Sequence, residues 1–342
     1  MTSFQISFQS TGLVTSVGLD APSACAAIRA KLTNPTETRF RDPTGHWIVA
    51  HQVPLSEPWR GLEKLRRMGA LAIAECLRNI SLEHWSRIPV LLCVAEADRP
   101  GRIRGLDDEL FAGIESLLGC KFHPASAVVP HGRVSTALAL ASARKLLEDE
   151  GHDHVLIAGT DSLLTGPTLQ DYARASRLLF HTNTDGFIPG EAAGAVLVGR
   201  PTGEPELLCT GIGFGVEPAP LDSDAPLRGD GLTLAIRSAL LEAGRGLHEI
   251  DFRIADLSGE QYFFKESALA LSRTMRTLRE AFDLWHPAEC IGEAGAAMGL
   301  AMLATVDIAC RKRYAPGPRV LAQFANDSGQ RAAAILQFGH AA

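Results

Sequence analysis

Three side chains in this 342-residue sequence are the first candidates for nucleophilic or acid–base chemistry, namely His131, His286 and Cys290. A thiolate beside a neutral imidazole can form a covalent acyl intermediate, and histidine can also bind a metal ion. The Glu289 carboxylate next to Cys290 disfavours a thiolate, so the sequence predicts a poor nucleophile there. No HExxH motif, CxxC motif or paired histidine spacing is found, so we predict no metal and no cofactor.

A glycine-rich stretch, DGFIPGEAAGAVLV at residues 185–198, places acids and glycines before an apolar run. We interpret its glycines as positions where a side chain would block a tight backbone path. Its acids are interpreted as caps of backbone amides rather than catalytic groups. The apolar end of the stretch predicts a fully buried strand. The residues concerned are Asp185, Gly186, Gly190, Glu191 and Gly194.

The elements that would position these residues can be predicted from two runs rich in alanine, leucine, methionine and threonine. These runs, residues 135–147 and 295–311, predict helices that are buried on most sides. Each helix leads toward a strand pattern, at residues 155–158 and 320–324. Two buried helices, each embedded in alternating strand and helix signals, predict an α/β protein of two similar halves stacked through a helical layer.

The join between the halves is predicted at residues 200–206, where prolines, a glycine and charged residues are concentrated. This gives an N-terminal half over residues 1–202 and a C-terminal half over residues 203–342. Each half is expected to depend on the central helix of the other, so we predict one integrated structural unit.

Four segments, taken in chain order, resemble those of β-ketoacyl synthases in the thiolase superfamily. They are residues 11–18, 155–161, 185–198 and 292–296, the last of which reads GEAGA and includes Gly292 and Gly295. The resemblance extends over most of the chain and implies the five-layer α-β-α-β-α sandwich of that superfamily. It also implies a dimer formed through a strand beside a buried helix, for which residues 126–130 are the candidate edge.

The resemblance also indicates where a reaction centre would lie. Condensation needs a cysteine nucleophile at the start of a buried helix, two histidines that promote loss of carbon dioxide, and backbone donors that form an oxyanion hole. The residues at these places are Val134 for the cysteine, Ser258 and Glu289 for the histidines, Leu284 for a lysine, and Asp327 in the glycine-rich oxyanion loop. Valine has no nucleophilic atom, and neither serine nor glutamate can replace a neutral imidazole. The resemblance therefore implies a degenerate reaction centre, as in a pseudoenzyme.

Composition fits a soluble globular protein, with 46% hydrophobic and 21% charged residues. The formal net charge of −6 and the lack of a long basic tract predict no nucleic-acid binding. The N-terminus does not resemble a signal peptide, and the apolar run at residues 294–310 contains Asp307, which favours a buried helix over a membrane span. The seven cysteines are scattered, so we expect reduced thiols in a cytoplasmic protein.

Two functions are consistent with these observations. The first is a non-catalytic partner or accessory subunit, in the manner of a chain-length factor in fatty acid or polyketide biosynthesis or of a secretion or biosynthesis scaffold. It would act as a homodimer or as a heterodimer with a thiolase-fold protein, with an acyl carrier protein as a further candidate partner. The second is an acyltransferase of the 3-oxoacyl-carrier-protein synthase type whose catalytic groups are relocated to Cys290 with His286 or His131. The missing nucleophile and imidazoles favour the first function.

Overall fold

The computed structural model describes residues 4–277 and 281–341. Its strands are β1 (Ile6–Val14), β2 (Thr36–Arg41), β3 (Trp47–Ala50), β4 (Val90–Cys93), β5 (Ala127–Val129), β6 (His154–Ser162), β7 (Glu191–Gly199), β8 (Glu206–Val216), β9 (Phe252–Ala255), β10 (Leu284–Trp285), β11 (Arg319–Ala325) and β12 (Gln330–Gly339). Its α-helices are α1 (Ala21–Arg29), α2 (Gly61–Cys76), α3 (Glu109–Leu118), α4 (Ser135–Glu148), α5 (Gly166–Arg174), α6 (Asp230–Glu242), α7 (Gln261–Thr274), α8 (Ala288–Ile291) and α9 (Met298–Arg311). Within these ranges, no helix is long and apolar enough to cross a membrane.

The sheet is built from two halves with the same strand order. The first half runs β1-β7-β6-β4-β5 and the second runs β8-β12-β11-β9-β10. In both halves the first two pairings are antiparallel and the last two are parallel. The halves meet where β1 pairs with β8, with Ile6 opposite Cys209 and Phe8 opposite Leu207.

Helices complete the layers around these two half-sheets. Helices α4 and α9 contact strands of both halves and form the central layer, whereas α2 packs on the outside of the first half and α6 on the outside of the second. The predicted five-layer α-β-α-β-α sandwich of two similar halves is therefore confirmed. The loop at residues 200–205 connects β7 to β8, while the division into halves at that loop remains a prediction.

The central helices are buried because small and aliphatic side chains surround most of their circumference. In α9 only Ile308 and Arg311 are not buried, and Leu300 and Leu303 have no exposed surface. Such a helix can lie between two sheets, because each fully buried aliphatic side chain contributes about 1.5–3 kcal/mol by leaving water. The sequence predicted the start of α4 correctly, but α9 begins at Met298, after a single 3₁₀ turn over Gly295–Ala297.

Each central helix follows a 3₁₀ turn that opens on a glycine with a left-handed backbone. These glycines are Gly132, with φ of 55°, and Gly295, with φ of 54°. A Cβ atom at Gly132 would lie 2.1 Å from a carboxylate oxygen of Glu96, and one at Gly295 would lie 2.1 Å from a carboxylate oxygen of Asp161. Glycine is therefore required both for the conformation and for the close approach of an acid to each turn.

The acids of the stretch at residues 185–198 accept hydrogen bonds from backbone amides, which agrees with their interpretation as caps. Asp185 accepts a hydrogen bond from the amide of Gln261, the first residue of α7, at 2.7 Å. Glu191 accepts one from the amide of Val53 at 2.9 Å and also pairs with Lys64. Glu191 itself begins β7, so the buried strand starts earlier than residue 195, where the apolar run begins.

Strand β5 lies at one end of the sheet and pairs with β4 through residues 127–129. The segment at residues 126–130, selected from the sequence as an edge, therefore occupies a sheet edge. Its residues Val128 and Val129 are partly exposed.

Candidate functional site

The turns that precede α4 and α9 lie side by side in the central layer. Val134 ends the first turn, and its apolar side chain belongs to the main hydrophobic core. The residue before it, Arg133, is also buried, with 7% of its side chain exposed. Arg133 donates to Glu293 at 3.3 Å and to Asp327 at 2.8 Å. A cation therefore occupies the space at the start of α4.

Arg133 is one member of a larger group, which we call the central ion-pair cluster. Its members are Glu96, Arg99, Arg133, Asp161, Arg177, Glu260, Glu293 and Asp327. Most of these side chains are less than one-fifth exposed, and Asp327, at 31%, is the most accessible. Buried charges are tolerated only when they are paired and hydrogen-bonded, which is the arrangement observed.

Arg177 holds the outer side of the cluster. Its guanidinium donates to both carboxylate oxygens of Asp327, at 2.6 and 3.1 Å, and to both oxygens of Glu260, at 2.7 and 2.9 Å. Two-pronged contacts of this kind are among the strongest side-chain hydrogen bonds. They fix the loop between β11 and β12, which carries Asp327.

Arg99 holds the inner side of the cluster. It donates to Asp161 at 2.6 Å and to Glu96 at 2.6 Å. Asp161 also accepts a hydrogen bond from the backbone amide of Ala296 at 2.8 Å, so it caps the turn before α9. The two acids that approach Gly132 and Gly295 are thus both paired with one arginine.

Burial and the charges of the cluster shift the pKa of two of its carboxyl groups, those of Asp327 and Glu293. Burial alone would raise the pKa of Asp327, but the charges of Arg133 and Arg177 outweigh burial and lower that pKa to about 2. Burial raises the pKa of Glu293 above its usual range, although the charge of Arg133 partly offsets it. Asp256, which follows β9, lies within reach of the same arginine charge, and burial raises its pKa to about 7.

The structure brings together some of the positions that the resemblance selected. Ser258 lies beside Glu293 and lowers the pKa of that carboxyl group, although its hydroxyl makes no hydrogen bond of good geometry. Glu289 does not reach the cluster: it lies in α8 and pairs at the surface with Lys31. Leu284 lies in β10, at the far end of the sheet.

Among the described residues, no hydrogen bond joins any two of the three candidates for relocated chemistry. Cys290 is buried with its Sγ atom 3.9 Å from the carbonyl oxygen of Ile28, and burial raises its pKa to about 11. His286 lines a separate cavity of about 240 Å³ with Trp285, and burial lowers its pKa. His131 lies at the start of α4, where its Nδ1 atom is 3.3 Å from Gln330. A thiol that titrates near pH 11 is a poor nucleophile at neutral pH.

The hydroxyl of Ser135, the residue after Val134, is hydrogen-bonded to two backbone groups. Ser135 Oγ accepts a hydrogen bond from the amide of His131 at 2.9 Å and donates to the carbonyl oxygen of Val129 at 2.8 Å. This is the local role of a serine at a helix start. A thiol that the sequence analysis did not select, Cys93, lies under the same helix, and burial raises its pKa far above the usual range.

A cavity of about 250 Å³ opens onto the cluster. It is lined by Arg99, Tyr172, Arg177 and Asp327, and further acids and Ser328 also belong to its lining. Among the described residues, no thiol or imidazole lines it. Arginine stays protonated in proteins and cannot act as a general base. The groups facing this cavity can therefore bind polar atoms, but among the described residues they include neither the thiol nor the imidazole that condensation needs.

Sequence reasoning missed Arg133 and Glu293, the pair at the centre of the cluster. A signal was present for each, because Arg133 is the neighbour of Val134 and Glu293 lies inside the GEAGA motif. Arg99 and Arg177 carried no motif that could have identified them.

No family model matches the chain in sequence, and no curated protein does. Solved structures do resemble it over its whole length. A ketosynthase, ApeO, in complex with its chain length factor, ApeC, from Xenorhabdus doucetiae gives a TM-score of 0.78 at 14% identity, covering 98% of each chain. AntDE:AntF, a type II polyketide acyl-carrier protein in complex with its ketosynthase bound to the hexaketide, gives 0.81 at 14% identity, covering 98% of this chain and 100% of the other. The ishigamide ketosynthase/chain length factor gives 0.76 at 16% identity, covering 98% and 99%. The chain therefore has the thiolase-like fold of ketosynthases and chain length factors.

Proposed function

Starting from this thiolase-like ketosynthase fold, we propose that the chain is a catalytically silent subunit that acts through contact with another thiolase-fold protein. The observation that carries the proposal is the Arg133 side chain, which fills the start of α4 and pairs with Glu293 and Asp327. Condensation needs a thiolate and neutral imidazoles at that place, and a guanidinium with two carboxylates supplies neither.

The chemistry of the cluster also opposes a latent reaction. A carboxylate held at a pKa of about 2, as Asp327 is, stays charged where a condensing enzyme develops negative charge on its substrate. Like charges would raise the energy of that transition state. The cluster is internally paired, so it acts as part of the scaffold and supports the shape of the central layer.

The partner is proposed from the sheet edge and from the similar structures. An open apolar edge such as β5 invites pairing with another strand, and continuation of the sheet across a dimer axis would cover it. Some of the similar structures are described as a ketosynthase with its chain length factor and as a ketosynthase with an acyl-carrier protein. We propose a homodimer or a heterodimer with a ketosynthase-fold chain in fatty acid or polyketide biosynthesis, with a carrier protein as a further partner.

Intact-protein mass spectrometry tests the silent centre. After incubation with acyl-thioesters, the full chain is expected to show no acyl adduct. A stoichiometric adduct that maps to Cys290 would instead favour the acyltransferase with relocated groups. In that case the adduct should disappear in Cys290→Ala and persist in Cys93→Ala, which removes the thiol beneath α4.

Co-purification from the native host tests the partner. We expect the chain to elute as a dimer, alone or with a second thiolase-fold protein identified by mass spectrometry. A stable monomer at micromolar concentration that retains no such protein would contradict the proposal.

A further inference from the structure

Asp42, His46 and His181 form a compact group at the surface, outside the central ion-pair cluster. One ligand atom of each side chain lies within 4.8 Å of the other two. Asp42 follows β2 and His46 precedes β3, so both belong to the turn of the β2–β3 hairpin. His181 comes from a different part of the chain, the loop between α5 and β7.

The Asp42 carboxylate is fixed by its own turn. Its Oδ1 atom accepts hydrogen bonds from the amide of Thr44 at 2.8 Å, the hydroxyl of Thr44 at 2.8 Å and the amide of His46 at 2.9 Å. These contacts leave Oδ2 directed at the His46 ring, 3.9 Å from Nδ1, which is too long for a hydrogen bond. Only 3% of the Asp42 side chain is exposed. One carboxylate oxygen is therefore pre-positioned and lacks a close hydrogen-bond donor among the described residues.

The two imidazoles complete a ligand set from separate elements. Their rings meet edge to face with centroids 4.8 Å apart. The Nδ1 atom of His46 lies 2.8 Å from the Thr44 hydroxyl, a contact that orients the ring in the way outer-sphere partners orient metal ligands. Both histidines are exposed, so a metal ion can reach them from solvent.

We propose that Asp42, His46 and His181 bind a divalent transition-metal ion, with zinc as the metal that suits the set best. Two imidazoles and one carboxylate favour zinc, copper or nickel over magnesium or calcium. Zinc ligands lie about 2.0–2.2 Å from the metal, so the three atoms must approach to roughly 3.3 Å of one another. The exposed histidine side chains can rotate over that distance, and water fills the fourth position. This proposal replaces the expectation of no metal, which depended on spacing along the chain.

The metal would join the hairpin to the loop that carries Arg177. His181 lies four residues after Arg177, which holds Asp327 and Glu260 at the mouth of the cluster. The same region is packed through an apolar group that includes Phe40 of β2 and Phe180 of the loop. Metal binding would therefore stabilise the loop that carries Arg177, which lines the cavity at the central ion-pair cluster.

Calorimetric titration of the metal-free full chain with Zn²⁺ tests the proposal. We expect one Zn²⁺ per chain, and an affinity about tenfold or more weaker in His46→Ala and in His181→Ala. His123→Ala is the matched control, because the His123 ring also meets another imidazole, that of His152, edge to face at 4.7 Å. That control is expected to leave the affinity within about twofold.

Thermal unfolding gives a second readout. Zn²⁺ should raise the Tm of the wild-type chain and of His123→Ala, because a ligand that binds only the folded state stabilises it, and should have little effect on His181→Ala. His181 is exposed, so its removal does not threaten folding, whereas Asp42 also orders its turn. Absence of binding, unchanged affinity in both histidine variants, or displacement of Zn²⁺ by an equal concentration of Mg²⁺ would each overturn the proposal.

Discussion

Arg133 donates to Glu293 at 3.3 Å, and this pair joins the two turns from which the central helices start. The two residues come from different halves of the chain and meet in the central layer. A buried ion pair of this kind contributes little net stability compared with apolar packing, but removing one partner leaves a buried charge uncompensated. We therefore expect the centre to be intolerant of single changes at this pair.

The first prediction concerns the cost of breaking this pair. Arg133→Met should lower the free energy of unfolding by about 3 kcal/mol, because Glu293 loses its buried partner. Lys31→Met is the control, since Lys31 pairs with Glu289 at the surface and such pairs contribute under about 1 kcal/mol. Urea denaturation measures both changes. An equally small loss in the two variants would show that the cluster does not depend on Arg133.

The second prediction is that a thiol alone restores no condensation. In Val134→Cys, Ser258 and Glu289 still stand at the positions that the resemblance assigns to the imidazoles, and Arg133 still occupies the space beside the turn. General acid–base groups contribute about a hundredfold or more each, so one repaired part leaves activity at background. We expect the same of Arg133→Cys. Assays with malonyl and acyl carrier substrates check this, and measurable turnover in either variant would show that the centre has been wrongly identified.

The third prediction is a pH dependence that originates at Asp256. Its pKa in the folded protein, about 7, lies above the ordinary value of 3.8. Between these values the folded state holds a proton that the unfolded state has lost, so stability falls as pH rises toward 7. Asp256→Asn removes this loss. The free energy of unfolding of the variant, measured relative to that of wild type, should therefore rise by on the order of 3 kcal/mol as the pH increases from about 4 to about 8.

Denaturation curves of both proteins across that pH range measure the difference. Asp307, whose pKa burial raises to about 6, titrates in both proteins and forms a common background. A difference between variant and wild type that stays constant with pH would mean that Asp256 is ionised throughout.

The fourth prediction concerns the sheet edge. Val128→Lys should convert the proposed dimer to monomer, because a charged side chain in β5 would oppose strand pairing across the axis. Leu241→Lys is the control: Leu241 lies on α6, away from β5, and is 83% exposed. Light scattering distinguishes the two variants. Dissociation by the Leu241 change and not by the Val128 change would place the interface elsewhere.

The sequence by itself determined the architecture of this protein. The signals for this architecture are local. Burial on all sides restricts the residue types of α4, α9 and β7 to small or apolar ones, and the tight connecting turns require glycine. The two similar halves followed from such patterns, whereas the edge position of residues 126–130 was implied by the resemblance to β-ketoacyl synthases.

Only the tertiary structure decided which charges meet. Arg133 pairs with residues 160 and 194 positions away, and His181 joins Asp42 and His46 from a distant loop. The spacing of residues along the chain does not distinguish Glu293 from Glu289. Glu293 pairs with Arg133 in the central layer, whereas Glu289, four residues earlier, pairs with Lys31 at the surface. An ion pair or a metal site depends on the approach of atoms within a few ångströms, and that distance is set by the packing of whole layers.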